Sequence, residues 1–266
     1  MKYFNPDGFE HLYNSESRSF WFNARNKLIV WVLNKYFNKQ RRKDQQIKYL
    51  EIGCGTGFVL QNVKKAFPDW NITGTELFEE GLTFAKKRVP DVRLMQLNAL
   101  EINLDETFSV VGAFDVLEHI QEDEKVMRNL YKILDRLQGG VFTVPQHMCL
   151  WSSVDEEACH CRRYSRKEMI DKLQKAGFEI VRATSFVSLL FPAMWLMRHK
   201  KQKHSQTTEP TSSNKHQVDE LRLPKVLNAI LNMVMSVERF IIKCGINFPF
   251  GGSLLVIFRK KAENGE

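Results

Sequence analysis

A strand-like run leads straight into a glycine-rich turn. Residues Tyr49-Leu50-Glu51-Ile52-Gly53-Cys54-Gly55-Thr56-Gly57 are followed by a helical pattern over 58–67. Glycine lacks a Cβ, so such a turn adopts left-handed backbone and lets a ligand approach closely. A strand, a tight turn and a helix in that order start a parallel α/β sheet. The rest of the chain continues the alternation. Strand patterns lie at 70–75, 92–97, 108–114, 140–144, 178–186 and 253–259, and helical ones at 77–89, 122–137 and 165–176. Ser165 with Glu168 forms a capping-box signal, and Gly177 stops the helix that follows it. The expected fold is α/β: a seven-stranded, mostly parallel Rossmann-like sheet with helices on both faces.

The glycine spacing restricts the ligand. A nicotinamide dinucleotide fold calls for glycines at 53, 55 and 58, but position 58 is Phe and the third glycine is Gly57. Glu51 places a carboxylate just before the turn. Both features point away from a pyrophosphate cofactor. Glu76 ends the second strand about 20 residues past the glycines, where a carboxylate can accept hydrogen bonds from both hydroxyls of an adenosine ribose. Alone, Glu76 reads equally as an acid at a helix N-terminus; the glycine turn in register favours the ribose role.

Three regions surround this core. Residues 1–44 form an N-terminal helical cap, with an amphipathic aromatic helix expected over 16–37. Residues 45–186 and 251–261 form the sheet domain. Residues 187–250 are a helical insertion before the last strand, with a polar, flexible loop expected at about 200–220. Five cysteines in no framework spacing argue against a disulfide scaffold and for a reduced, cytoplasmic compartment. The first residues contain no apolar run of the signal-peptide kind.

The series EIGCGTG, GTEL, FDVLEHI and AGF, in this order, resembles the class I S-adenosylmethionine-dependent methyltransferases, over roughly 47–186 plus 252–260. That resemblance implies an antiparallel last strand and S-adenosyl-L-methionine as cofactor, lying across the C-terminal strand edges. It implies that Gly53, Gly55 and Gly57 line the methionine part, with Glu51, Cys54 and Leu77 also among the cofactor-binding residues. Glu76 would hold the ribose, Asn98 and Ala99 would border the adenine, and Asp115 would face the methyl-transfer centre. The family often has Asp where this chain has Asn98, which can still donate and accept. The stretch FWFNAR at 20–25 is similar to the leading helix of a bacterial small-molecule subgroup. Arg25 there would clamp the cofactor's carboxylate; the alternative is an aromatic packing anchor with Arg25 at the surface.

Two clusters could remove a proton from an acceptor. Asp115-Val116-Leu117-Glu118-His119 resembles the acidic-x-x-Glu-His segment of ubiquinone-pathway O-methyltransferases; it could supply a base, bind a divalent ion or simply cap the next helix. Asp155 with His160-Cys161-Arg162-Arg163-Tyr164 resembles a second segment of the same subgroup. An imidazole titrates near neutrality and suits general-base work, so His160 is favoured over His119. Arg162 and Arg163 could meet an anionic substrate; the alternative is that Arg163 and Tyr164 anchor the loop. Cys159-His160-Cys161 lacks the second pair a zinc site needs, and no metal is expected.

The reading is methyl transfer to a small-molecule or lipid-linked acceptor at oxygen. RNA methylation, or a catalytically inactive cofactor-binding scaffold, is the alternative. Methylation of DNA amino groups is disfavoured, because DVLE at 115–118 replaces the Pro-Pro-aromatic run that chemistry uses. The net charge of +8 suits an anionic partner. In the insertion, Phe186–Met197 is nearly all apolar and is followed by Arg198, His199, Lys200, Lys201 and Lys203. Such a face beside a basic cluster suits peripheral association with an anionic membrane; a lid over the acceptor or a dimer contact would use the same residues.

Overall fold

The computed structural model describes residues 8–40, 46–205 and 224–261. Among these, seven strands form one sheet in the order β3-β2-β1-β4-β5-β7-β6. They are β1 (Lys48–Ile52), β2 (Asn71–Glu76), β3 (Arg93–Gln96), β4 (Phe108–Phe114), β5 (Leu134–Pro145), β6 (Phe178–Phe186) and β7 (Ser253–Lys260). β1 to β5 pair in parallel, and β7 runs antiparallel between β5 and β6. The order reverses between β1 and β4, where the chain leaves β1 in one direction and later returns on its other side. Ligands of open α/β sheets bind at such a crevice, beyond the carboxyl ends of the strands.

Strand alternation divides the core. Tyr49, Ile72, Val110, Val141 and Ile257 face one side; Leu50, Ile52, Val111, Phe142 and Val256 face the other. The first side is covered by α2 (Phe20–Leu33), α3 (Phe58–Ala66), α4 (Glu79–Arg88) and a late helix at Lys225–Lys243. The second is covered by α5 (Asp123–Ile133) and α7 (Arg166–Lys175), with the short α6 (Ser153–Glu157) between them in the chain. Because both faces are covered, the central strands are mostly apolar, and all seven residues of β4 are buried.

Most expected elements appear within a residue or two. Two boundaries differ. The single helix expected at 16–37 is broken: α1 (Gly8–Ser15) is followed by a 3₁₀ turn at Glu16–Arg18, and α2 starts after Ser19. Ser19 has extended backbone (ψ 130°), which ends one helix and starts the next. The helix expected to reach 137 stops at Ile133, and β5 begins at once. Leu134 pairs with Phe108, and a register shift before Val110 lets the strand enter the sheet early. The insertion contains α8 (Phe191–Ser205) and α9 (Lys225–Lys243). Most of the loop expected at 200–220 lies outside the described residues. No described helix is long and apolar enough to cross a membrane.

Candidate active site

The turn after β1 is shaped by its glycines. Gly53 has φ +63°, and a Cβ there would stand 2.6 Å from Val116 Cγ2. Thr75 O receives Cys54 N at 2.8 Å, and Cys54 O receives Gly57 N at 2.9 Å, so the turn is braced by β2 and by itself. Glu76, at the tip of β2, completes the loop. Its carboxylate accepts from Gly55 N (2.9 Å), Leu77 N (2.7 Å) and Phe78 N (3.2 Å). Burial raises the Glu76 pKa, an effect these three N–H groups partly offset. Glu51 is deeper: burial drives its pKa up to about 8, against the opposing bond from Tyr49 Oη (2.9 Å) and the charge of Arg25.

Arg25 is buried near this turn and pairs with Asp115. Its guanidinium lies 4.7 Å from the Trp21 ring centroid and 5.2 Å from that of Phe22. The aromatic residues therefore pack around the arginine, and the surface alternative does not hold. Arg25 Nε is buried without a partner. Asp115 has a left-handed φ of 56°, and its N donates to Thr143 O at 2.8 Å, which fixes it at the end of β4. Ala99 is buried beyond β3, whereas Asn98 is exposed and spends its Oδ1 on Leu100 N at 3.0 Å.

Sequence reasoning missed the residues that cover the turn. Phe9 of α1 lies over it: its ring would be 3.9 Å from a Cβ on Gly55 and 3.1 Å from one on Gly81. Glu16 Oε2 accepts from Thr56 Oγ1 (2.6 Å) and Arg88 Nη1 (2.5 Å), and Arg88 also donates to Tyr13 O (2.7 Å). These contacts join residues 8–18 to the glycine turn. The only sequence signal was an acidic, aromatic start with no clear period.

The second cluster meets the first across β4. Asp155 is fully buried; its Oδ1 binds His160 Nδ1 at 2.9 Å and accepts from Arg163 Nε at 2.7 Å. Burial pushes the Asp155 carboxyl up, but the bonds and charges of His160 and Arg163 outweigh it and hold the pKa at about 2. With Nδ1 committed to Asp155, His160 presents Nε2, which lies 4.0 Å from Glu118 Oε1. The His119 ring stands edge-on to His160 at 4.7 Å. Burial, then the charge of His160, depresses His119 to about 3, so it is neutral and a poor base. Glu118 is wholly buried with neither oxygen bonded; burial and then Asp115 raise its pKa strongly. The approach of His160 Nε2 to Glu118, with Cys161 N donating to Glu118 O at 2.7 Å, joins the two clusters.

Glu118, His119 and His160 offer three ligand atoms within 4.8 Å of one another, an arrangement that could hold a divalent cation. The sequence reading did not assemble this trio, because His160 comes from a loop far along the chain. The neighbouring basic residues are anchors. Arg162 Nη1 pairs with Asp123 at 2.8 Å, Arg163 with Asp155, and Tyr164 Oη donates to Asp123 Oδ2 at 2.7 Å. Their charges are met inside the protein, so the anionic-substrate alternative for Arg162 and Arg163 gives way to loop anchoring. Another residue missed is Gln146, at the end of β5. It is completely buried, and its side-chain amide has no bonding partner.

A family model described as a methyltransferase domain matches residues 50–142, from β1 through β5. The chain carries a class I S-adenosylmethionine-dependent methyltransferase domain. It is 30% identical over 111 residues to a malonyl-[acyl-carrier protein] O-methyltransferase of Bacillus anthracis, which is 41% of either chain. It is 33% identical over 105 residues to a dTDP-3-amino-3,4,6-trideoxy-alpha-D-glucopyranose N,N-dimethyltransferase of Streptomyces venezuelae, covering 39% of this chain and 44% of that one. The chain thus matches about two fifths of the length of these curated relatives. Among solved structures, a Haemonchus contortus phosphoethanolamine N-methyltransferase in complex with S-adenosylhomocysteine aligns at TM-score 0.56 and 16% identity, over 90% of this chain and 52% of that one.

The methyltransferase domain's residues fit S-adenosylmethionine. Arg25 has an unused Nε where a carboxylate would complete its fork. Glu51, Glu76 and Asp115 put carboxyl groups around the turn, as a cationic sulfonium and a ribose diol require. Gly55 leaves space on the side that faces Phe9.

Proposed function

We propose that the domain methylates a hydroxyl oxygen of a small-molecule acceptor, with His160 as the general base. Bound S-adenosylmethionine would supply an electrophilic methyl group for in-line displacement. The chain's task is then to hold the acceptor in line and remove its proton. The observation that carries the reading is the Asp155–His160 pair. An ionised, buried Asp155 accepts from His160 Nδ1, which leaves the Nε2 lone pair directed toward Glu118 and the β4 edge. His119 is unsuited to the role because burial keeps it neutral with a pKa of about 3. Arg25 and Asp115 orient the cofactor end, and α1 with Phe9 excludes water from the glycine turn.

The relatives include an O-methyltransferase and an N,N-dimethyltransferase. A base-equipped site favours oxygen, since a hydroxyl must lose its proton as it is methylated, whereas a neutral amine attacks through a free lone pair. The test uses methyl-labelled S-adenosylmethionine with a panel of phenols, carboxylic acids and amines. His160→Ala should lower transfer to the best hydroxyl acceptor about 10²–10⁴-fold and leave S-adenosylhomocysteine affinity within about twofold. Labelling of amines alone, or an undiminished rate in His160→Ala, would overturn the assignment.

A further inference from the structure

We infer that the outer face of α9 is a docking seam for a second copy of this chain. Helix α9 packs along α2 and the sheet through its inner side, where Met235 and Ile242 are buried. Glu238, also buried, accepts from Ser188 N (2.7 Å) and Leu189 N (2.8 Å), which ties α9 to the start of the insertion. Beside Leu227, which is 41% exposed, the opposite side carries a row of Val226, Ile230, Met233, Val237 and Phe240, between 48% and 74% exposed. Their spacing is four, three, four, three. That four-three repeat is the a/d pattern by which one helix packs against another.

The charges decide the occupant. Between Lys225 and Lys243 the only charged residues of α9 are Glu238 and Arg239, and both are buried. The seam's exposed flanks include Ala229 and Ser236, which are small and neutral. A helix lying on an anionic lipid surface carries exposed Lys and Arg along its polar side; the exposed basic residues of α9 are Lys225 and Lys243, at its two ends. A self-pairing seam needs the reverse, no like charges meeting across the two-fold axis, and this face satisfies that. The segment 206–223 has three apolar residues, Val218, Leu221 and Leu223, too few to fill five seam positions. Two heptads would not hold free helices together, but α9 is already folded on α2, so little ordering cost remains at association.

The seam is mechanically linked to the cofactor clamp. Asn228, on α9, accepts from Phe20 N at 2.9 Å and donates to Arg18 O at 2.9 Å. It therefore caps the start of α2 from the insertion, one turn before Arg25, while Ser19 makes no side-chain cap of its own. Self-association braces this contact in both copies.

The test is sedimentation velocity on the full chain from about 1 to 200 µM, in reducing buffer because Cys149, Cys161 and Cys244 are exposed. A concentration-dependent dimer is expected. The variant Met233→Lys with Val237→Lys places like charges in the seam and should weaken association at least 30-fold, with an unchanged circular dichroism spectrum. Ala229→Cys, on the flank of a parent variant in which Cys149, Cys161 and Cys244 are replaced by Ser, should cross-link a dimer through a bifunctional maleimide where that parent does not. The same lysine variant tightens any contact with anionic vesicles. A wild type that stays monomeric at 200 µM, or a face that binds such vesicles instead, would overturn the proposal.

Discussion

Gly53→Ala probes the turn on which the cofactor site depends, and its cost can be worked from two separate contributions. The backbone of Gly53 has φ +63°, which costs an L-residue about 1–2 kcal/mol. The new methyl would also stand 2.6 Å from Val116 Cγ2 and 2.9 Å from Cγ1, well inside the normal contact range of roughly 3.5–4.0 Å. Val116 follows β4 on the segment that carries Asp115, so it cannot retreat without moving the site. Overpacking of this kind costs about 1–3 kcal/mol. The sum is roughly 2–5 kcal/mol, less than the total stability of most domains. Val116→Ala removes both offending carbons, so the double variant should recover the steric share and retain the backbone share. Urea unfolding followed by tryptophan fluorescence gives the cycle. A coupling of about 1–3 kcal/mol is expected between the two positions. Strict additivity, or a Gly53→Ala loss under about 0.5 kcal/mol, would refute the steric argument.

Asp155→Asn should destabilise the domain by about 3–5 kcal/mol, because it leaves the buried Arg163 without its counter-charge. The Asp155 carboxyl is held at about 2, so its stabilisation is present above the ordinary carboxylate pKa and is lost as pH falls toward 2; the variant should show a shallower acid loss in thermal melts. Glu51 has the opposite sign. Its pKa is raised to about 8, so the folded state holds a proton that the unfolded chain releases, and stability should decline as pH rises from 4.5 to 8. Glu51→Gln should flatten that decline, and equal slopes in both proteins would contradict the account.

The sheet was legible because its signals are local. Each strand is a short apolar run, and the glycines of the first turn lie next to one another in sequence. Glu76 and Asp115 could be placed because each ends a strand, and strand ends converge on one edge. The break at Ser19 was not legible, since residues 16–37 keep an aromatic pattern on both sides of it. Nor was the cover over the turn: Phe9 and Glu16 reach Gly81, Thr56 and Arg88 only through tertiary packing. In sequence the second cluster is a loop motif whose division of labour is open. Its three-dimensional pairing supplies the division, with Asp155 bound to both His160 and Arg163 and with Arg162 and Tyr164 committed to Asp123. Asn228 could not have been singled out, because its partners are Phe20 and Arg18 at the other end of the chain.

The central claim is that this edge of the sheet holds S-adenosylmethionine. Calorimetric titration of the full chain with S-adenosylmethionine tests it most directly, with wild type and Glu76→Ala compared under one buffer condition. The account predicts one-to-one binding by the wild type and a loss of roughly 1–3 kcal/mol in the variant, the scale of hydrogen bonds to a charged group. A folded wild type that takes up no S-adenosylmethionine, or a Glu76→Ala protein that binds as tightly as wild type, would contradict it.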